Sequence, residues 1–371
     1  MVNTGDMSVN PGNTSTLVYK YMRPEHLPHI WCPGCGNGII MRDVAQAIEN
    51  LGLSRNKTVI VSGIGCSSRA AGYLDFNTIH TTHGRAIAFA TGIKLANPEL
   101  EVIVLAGDGD ISAIGGNHLI HAARRNIGLT VVVFNNEIYG MTGGQYSPTT
   151  PRGDYGTTAP YGNFDRSFDI AGLAYGAGAS YAARGSAYHV QQTISLIQEG
   201  IRHQGFSIID VASVCPTYYG RKNHKGSAVD MMKWQKENAV TQEQANKMSP
   251  DELRGKLVIG LLHQVQYPEF TYEYEKLILR LAKEREANEY DGAAAGRKRR
   301  TGRHSGDRHS GGGRCIGGKT HRAVSGLRPR SQRRQLQGGG SDLGRADRLY
   351  QGAAADVSDG SYTKGPGRIR S

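Results

Sequence analysis

The chain has 371 residues, five cysteines and a net charge of +12, a length that suits one large or two ordinary domains. No apolar run approaches the roughly 18 residues of a membrane span, and the polar N-terminus lacks a secretory pattern. The low and odd cysteine count argues against a secreted disulfide framework and favours metal or catalytic thiols. We therefore expect a cytoplasmic protein without a membrane partner, with residues 1–20 as a loose lead-in.

The positive charge is concentrated at one end of the chain. Gly296 to Ser371 holds 18 Lys and Arg against 5 Asp and Glu, which leaves 26 basic and 27 acidic residues elsewhere. A charge-biased tail is judged separately from the fold. Because the body is nearly neutral, the total charge does not indicate a nucleic-acid partner.

Strand-like and helix-like segments alternate up to about residue 215. Helical patterns occupy residues 38–52, 84–97, 115–126 and 186–204. Short β-branched apolar runs, typical of buried parallel strands, lie at Thr58–Gly63, Glu101–Gly107, Leu129–Asn135 and Phe206–Ala212. This alternation predicts an α/β fold, with a doubly wound, mainly parallel sheet and helices on both faces.

The remaining segments are less regular. Polar residues 218–252 predict a long irregular excursion, and Glu273 to Glu289 has the spacing of a charged helix. From residue 293 the chain is rich in Gly and Arg without a period that buries a face. We therefore predict a domain over residues 21–292 and a disordered basic tail over 293–371.

The stretch WCPGCG places Cys32 and Cys35 two residues apart. A zinc site, a redox disulfide and an iron–sulfur cluster can all begin with this spacing. Cys66 and Cys215 each follow a predicted strand, on the side of the sheet where ligands bind. Four cysteines could form a Cys₄ zinc site or an iron–sulfur site, or include unrelated buried thiols.

Two polar motifs follow adjacent predicted strands. GDGD (Gly107–Asp110) leaves one strand, and Asn136 lies in the NNEIYG that leaves the next. Glycines beside Asp108 let the backbone approach a diphosphate, while its carboxylate and the amide oxygen of Asn136 are ligand types that Mg²⁺ prefers. Each motif is common by itself; together they predict a magnesium–diphosphate site.

GDG followed about thirty residues later by NN resembles the motif with which thiamine-diphosphate enzymes hold their cofactor. Five stretches in the order WCPGCG, GIGCSSR, TTHGRAIAFATGIKLANP, GDGDISAIGGNHLIHAARRN and NNEIYGMTGGQYSPTTP resemble the β subunit of 2-oxoacid:ferredoxin oxidoreductases. The 2-oxoglutarate-type branch is most similar. The resemblance covers about Tyr21 to Glu289.

The resemblance implies three cofactors: thiamine diphosphate, Mg²⁺ and one [4Fe-4S] cluster. The implied cluster ligands are Cys32, Cys35, Cys66 and Cys215, and the implied Mg²⁺ ligands are Asp108, Asn136 and the Ile138 carbonyl. Arg69 and His83 are the implied catalytic residues, with Arg69 near the substrate carboxylate and His83 in contact with a phosphate or the cofactor. The alternatives are a surface ion pair for Arg69 and a helix-start histidine bonded to backbone for His83. The expected cofactor-binding residues are Ile64, Gly65, His83, Gly107, Asp108, Gly109, Asp110, Asn136, Ile138, Thr142 and Gly143.

The implied reaction is oxidative decarboxylation of 2-oxoglutarate with coenzyme A, which yields succinyl-CoA, CO₂ and reduced ferredoxin. The same reaction on pyruvate or branched-chain 2-oxoacids, and a non-redox thiamine lyase, remain alternatives. The family places the activating glutamate on a separate α subunit, so the isolated chain should be inactive. A γ subunit is a further potential partner.

The tail from Gly296 has no counterpart in that family. A basic arm for nucleic acid is one interpretation. However, codon degeneracy allows Leu327–Tyr350 to be read one nucleotide later as YGPEASGGNSKAEVVISDEPIDY, which resembles the family's γ subunit. We therefore hypothesise that the tail is an out-of-frame reading of a γ-subunit gene, in which Cys315 has no role.

Overall fold

The computed structural model of the chain describes residues 14–301, which surround one eight-stranded sheet. The strand order is β2-β1-β3-β4-β8-β7-β10-β9, and β5 and β6 form a separate two-stranded ribbon. The strands are β1 (Thr58–Ser62), β2 (Asn77–His80), β3 (Glu101–Gly107), β4 (Thr130–Asn135), β5 (Ile138–Tyr139), β6 (Gln145–Tyr146), β7 (Tyr181–Ser186), β8 (Ser207–Ala212), β9 (Ala239–Thr241) and β10 (Leu257–Gln264).

Every pairing from β2 to β7 across the sheet is parallel, and β10 pairs antiparallel with β7. The helices are α1 (Thr14–Tyr21), α2 (Asn37–Leu51), α3 (Arg69–Tyr73), α4 (Ala86–Ala96), α5 (Gly116–Arg124), α6 (Ile170–Gly176), α7 (Val190–Arg202), α8 (Ala228–Asn238), α9 (Gln242–Ala245) and α10 (Phe270–Thr301). The prediction of a doubly wound, mainly parallel sheet is confirmed, and the four predicted strands and helical segments lie close to their predicted bounds.

The sheet is covered on both faces because successive strand residues point to opposite sides. Ile60 packs with the side chains of α2 and α7. Its neighbours Val59 and Val61 pack instead with α4, α5 and α6. A strand buried on both faces needs an unbroken apolar run, which is why β1, β3 and β4 could be recognised from sequence.

Two segments are more regular than predicted. Residues 14–20 were expected to be a loose lead-in, but they form α1, because Leu17 and Tyr21 are four residues apart and both buried. The excursion over residues 218–252 contains α8, β9 and α9. The start of α8 is fixed by a capping box in which Ser227 and Asp230 bond each other's backbone N–H.

The end of the described chain also departs from prediction. α10 begins at Phe270 and continues past the expected boundary at residue 292 to Thr301. The rest of the tail, with Cys315 and the out-of-frame hypothesis, lies outside the described residues. Among the helices within residues 14–301, none is both long enough and apolar enough to cross a membrane.

A buried carboxyl group on α2 should make stability depend on pH. Asp43 is fully buried, both of its oxygens lack a hydrogen-bond partner, and Arg42 approaches only to 3.6 Å. Burial raises the pKa of Asp43 from 3.8 to about 7, against the opposing effect of Arg42. The folded state therefore keeps the Asp43 proton at pH values where the unfolded chain releases it. The contribution of this proton to the free energy of unfolding is complete below about pH 4, decreases as the pH rises, and is lost above about pH 7.

We expect Asp43→Asn to remove this dependence. Between pH 5 and pH 8, the free energy of unfolding of the wild type should fall relative to the variant by on the order of 3 kcal/mol. Urea titrations at both pH values measure this difference. Asp251→Asn, which changes a carboxylate with 83% of its side chain exposed, is the control and should follow the wild type. Parallel behaviour of Asp43→Asn and wild type would show that Asp43 is ionised throughout this range.

Candidate active site

The candidate site lies at the carboxyl ends of four neighbouring parallel strands. β1, β3, β4 and β8 are adjacent, so the segments that follow them meet at one edge of the sheet. A cavity of about 280 Å³ at this edge is lined by residues at or after the carboxyl ends of β1, β2, β3 and β4. The segment after β8 contributes Cys215 nearby.

Nearly all of the residues expected to bind the cofactor line this one cavity. They are Ile64, Gly65, His83, Gly107, Asp108, Gly109, Asp110, Asn136, Ile138 and Thr142. Gly143, the next residue after Thr142, is not among the lining residues. Cys66 also lines the cavity, so an expected cluster ligand and the expected cofactor residues share a wall.

Asp108 is the most enclosed acid of the cavity, with 2% of its surface exposed. Its Oδ2 accepts hydrogen bonds from the hydroxyls of Ser147 and Thr149, both at 2.6 Å. Burial raises the pKa of Asp108 to about 6, while the two hydroxyls and the backbone N–H of Asn136 act in the opposite direction. No cationic side chain within residues 14–301 forms an ion pair with it, so a bound cation would supply the missing positive charge.

The turn after β4 brings Asn136 and Ile138 to the same cavity. Glu137 between them has φ +61°, a left-handed conformation that is uncommon outside glycine. The turn is held by the N–H of Ile138, which donates to Oδ1 of Asn136 at 3.3 Å, and by the hydroxyl of Thr150, which donates to the Glu137 carbonyl at 2.5 Å. Asp108, Asn136 and Ile138 thus all line the cavity, and carboxylate, amide and carbonyl oxygens are ligand types that suit Mg²⁺.

Glycine is required where the backbone passes closest to other groups. A Cβ added at Gly109 would lie 2.3 Å from the Cε1 atom of Tyr139, whose hydroxyl donates to the Gly109 carbonyl at 3.0 Å. A Cβ at Gly63 would lie 1.9 Å from Oδ2 of Asp110. These two positions have no room for a side chain, so their glycines keep the cavity walls in place.

Asp110 connects three of the loops that form the cavity. Its Oδ1 accepts from the backbone N–H of Gly84 at 2.7 Å and of Ile64 at 3.3 Å, and lies 2.6 Å from Nδ1 of His83. Burial raises the pKa of Asp110, and these neighbours oppose that effect. The carboxylate therefore positions the loop after β1 and the imidazole of His83 against the cavity.

The four predicted cluster cysteines are close enough for their charges to interact. Burial raises the pKa of Cys35 to about 12, and the sulfurs of Cys215, Cys66 and Cys32 raise it further. Burial likewise raises the pKa of Cys66 to about 11, with further contributions from Cys215 and Cys32. A positively charged metal centre would lower these pKa values and stabilise four neighbouring thiolates, and no disulfide joins any of these cysteines.

Backbone N–H groups point at three of these sulfurs. The N–H of Asn37 interacts with Cys35, that of Met141 with Cys66, and those of Thr217, Tyr218 and Tyr219 with Cys215. Such contacts to ligand sulfurs help to set the reduction potential of an iron–sulfur cluster. Trp31 also fixes the cysteine loop, because its Nε1–H donates to the Cys66 carbonyl at 2.7 Å.

The four cysteines are a donor set for more than one kind of metal centre. Across the part of the chain that the structure describes, no group of three or more His, Cys, Asp or Glu is arranged to hold one metal ion. A [4Fe-4S] cluster has one iron for each of its four thiolates, so its ligands stand further apart than those of a single zinc ion. Four cysteine thiolates are the donor set of a [4Fe-4S] cluster, and by donor type alone they also suit a Cys₄ zinc site.

Arg69 lies at the start of α3, outside the cavity lining. Its backbone N–H donates to the Cys66 carbonyl at 3.3 Å, and its charge opposes the rise in the pKa of Cys66 that burial causes, so it lies beside the cysteine group. The structure does not bring it together with Asp108 and Asn136, and its role toward substrate stays a prediction.

Sequence reasoning missed the residues that support the site. Ser147 and Thr149 hold Asp108, Trp31 holds the Cys66 loop, and Tyr139 packs on Gly109. A signal for the first two was present, because SPTT places three hydroxyl side chains within four residues. Their pairing with Asp108 depends on the β5–β6 ribbon, which folds the segment back over the cavity.

Comparison with known proteins agrees with this geometry. Residues 63–211 match the family described as thiamine pyrophosphate enzyme, C-terminal TPP binding domain. The chain is 55% identical over 250 residues to 2-oxoglutarate synthase subunit KorB of Methanothermobacter marburgensis, which covers 67% of this chain and 88% of that protein. It is 53% identical over 265 residues to the same subunit of Methanocaldococcus jannaschii, covering 71% and 98%.

A solved structure is also similar. The 2-oxoglutarate:ferredoxin oxidoreductase from Magnetococcus marinus, with 2-oxoglutarate, coenzyme A and succinyl-CoA bound, superposes with a TM-score of 0.64 and 33% identity. The match covers 75% of this chain and 93% of that one. Relatives this similar over most of their length, together with the cavity and the four cysteines, show that the chain belongs to the family of 2-oxoacid:ferredoxin oxidoreductase β subunits.

Proposed function

We propose that this chain is the β subunit of a 2-oxoglutarate:ferredoxin oxidoreductase. The reaction takes 2-oxoglutarate, coenzyme A and two oxidised ferredoxins to succinyl-CoA, CO₂, one proton and two singly reduced ferredoxins. The observation that carries the proposal is the position of Cys66 in the wall of the cavity that also contains Asp108 and Asn136. Electrons released at that cavity would thus have an acceptor next to it.

Each part of the cavity has a role in this proposal. Asp108, Asn136 and the Ile138 carbonyl would hold Mg²⁺, and the backbone at Gly107 and Gly109 would admit the diphosphate. Thr142 and Gly143 would contact the phosphates, while Cys32, Cys35, Cys66 and Cys215 would hold the cluster. Thiamine diphosphate, when bound, supplies the electron sink that decarboxylation of a 2-oxoacid requires.

The remaining catalytic groups would come from a partner. None of the residues that line the cavity is a glutamate, whereas the family activates its thiamine cofactor with one. An α subunit would supply that glutamate, so that the complete site forms where the two subunits meet. Arg69 and His83 are proposed to contact the substrate carboxylate and the cofactor, respectively.

Co-expression with the α subunit under strictly anaerobic conditions tests the proposal. We expect four iron and four sulfide per β chain, and coenzyme A-dependent reduction of methyl viologen by 2-oxoglutarate. The value of kcat/KM for 2-oxoglutarate should exceed that for pyruvate by about tenfold or more, and the β chain alone should be inactive. Decarboxylation that needs no electron acceptor, or zinc in place of iron, would contradict the proposal.

A further inference from the structure

The cysteine group lies at the protein surface on one side. Cys32 is exposed, Cys35 and Cys66 are half-buried, and Cys215 is buried. The loop of Cys32 to Cys35 packs closely on the segment that follows Cys215, since a Cβ added at Gly34 would lie 2.4 Å from the Cβ of Ala228 and 3.6 Å from Cγ of Pro216. The start of α8 therefore borders the exposed end of the cysteine group.

The segment that borders this end is strongly basic. Residues 221–236 contain five Lys and Arg and one His against a single acid, Asp230. We call these five residues the basic surface; all are exposed, and they are Arg221, Lys222, Lys225, Lys233 and Lys236. The single acid is engaged in the capping box with Ser227.

Much of this charge is not neutralised by the protein itself. Among the contacts of residues 14–301, Lys225 forms an ion pair with Asp154 at 3.4 Å, and Lys236 lies over the ring of Tyr188. Arg221 and Lys222 form no ion pair or side-chain hydrogen bond in the same part of the chain. Because the chain up to residue 295 is nearly neutral overall, this positive patch is a local feature rather than a general property of the surface.

Apolar side chains accompany the charges. Val229 and Trp234 on α8 are 61% and 48% exposed, and Ile30 just before the cysteine loop is 69% exposed. An exposed Trp among basic residues is typical of surfaces that bind another protein, with an apolar centre and a charged rim.

We propose that the basic surface docks an acidic protein that carries a one-electron redox centre. The inference rests on the proposed function, because a reduced cluster must pass its electron out of the protein. Cys32 is the exposed member of the four cysteines, so an electron could leave the cysteine group on that side, and the adjacent positive charge would orient an acidic carrier toward it. In each encounter, one electron would pass from a cluster held by the four cysteines to the carrier, so two carriers would dock in turn for each 2-oxoacid oxidised.

Opposite charges of this kind mainly accelerate association, and their effect weakens as salt rises. The basic surface would therefore increase the rate at which the carrier associates and would orient the carrier for electron transfer. It does not contribute to the chemistry at the cavity.

Charge reversal in the complete αβ enzyme tests this inference. We expect Arg221→Glu/Lys222→Glu to lower kcat/KM for an acidic ferredoxin by about 10-fold to 100-fold at low salt, and to flatten its salt dependence. The kcat with saturating methyl viologen should stay at the wild-type value. Lys233→Glu, on a different element of the same surface, should show the same selective loss to a smaller extent.

A matched control reverses two charges far from the cysteines. Lys276→Glu/Arg280→Glu changes two exposed residues of α10. The chain at the start of α10 contacts Asn126 and Gly128, which directly precede β4. It therefore lies at the amino ends of the strands, at the opposite edge of the sheet from the cysteines. The control variant should behave as wild type with both acceptors.

The outcomes separate the two proposals. Wild-type kinetics with ferredoxin in both basic-surface variants, or a raised KM for coenzyme A instead, would overturn the docking surface while leaving the proposed function intact. A wild-type αβ enzyme that cannot reduce methyl viologen with any 2-oxoacid would instead refute the proposed function.

Discussion

Asp108→Asn should abolish cofactor binding and activity while leaving the fold intact. The amide is nearly isosteric with the carboxylate and can still accept from Ser147 and Thr149, which hold Oδ2 at 2.6 Å. It cannot supply the negative charge that a divalent cation requires. Removing a supporting residue of a metal site typically weakens metal affinity 10-fold to 100-fold, so the loss of a direct ligand should weaken it by at least about 100-fold.

Titration of the anaerobic αβ enzyme with thiamine diphosphate and Mg²⁺, followed by tryptophan fluorescence or calorimetry, measures this effect. The iron content should stay at the wild-type value, because Asp108 does not contact the cysteine group. Asp251→Asn makes the same chemical change at an exposed site and should bind the cofactor normally. Normal affinity in Asp108→Asn would remove Asp108 from the metal site.

Replacing any one of Cys32, Cys35, Cys66 and Cys215 by serine should eliminate electron transfer to ferredoxin. Serine keeps the size of the side chain but lacks the thiolate that binds iron. We expect iron and sulfide to fall sharply in all four variants, with loss of the broad visible absorbance and of the EPR signal after reduction. Because Asp108 and Asn136 are untouched, binding of thiamine diphosphate and Mg²⁺ should persist.

The fifth cysteine provides a control within the same chain. Cys315→Ser is the same substitution outside the four-cysteine group, and it should keep the full cluster and activity. Loss of iron in only two of the four variants would instead indicate a site that uses fewer of these cysteines. Loss of iron in Cys315→Ser would show that the tail has a role that the out-of-frame hypothesis excludes.

The parallel core and its ligand-binding edge could be predicted from the sequence for a physical reason. A strand buried on both faces must be apolar throughout, so β1, β3, β4 and β8 appear as continuous β-branched runs. Because the carboxyl ends of parallel strands meet at one edge, the positions of Asp108, Asn136 and Cys66 near one another could be predicted from the sequence. The glycines beside Asp108 marked where a backbone passes close to another group.

Other elements could not be predicted because their signals are not local. β7 reads YAARGS, with Arg184 in the middle of a strand. This residue is tolerated because it forms ion pairs with Asp169 and Asp210, which lie elsewhere in the sequence. The helix α8 could not be predicted because its sequence is mostly polar. Its formation depends on the capping box at its start and on the burial of Met231 and Gln235.

The sequence by itself determined the fold class, the family and the residues that meet at the sheet edge, because each depends on patterns or motifs contained in short segments. Only the tertiary structure decided how those residues are supported and where the surface carries its charge. The hydroxyls of Ser147 and Thr149 lie 39 and 41 residues from Asp108, so their bonds require the β5–β6 ribbon to fold back. The basic surface next to Cys32 likewise exists only because α8 packs against a loop almost two hundred residues earlier in the chain.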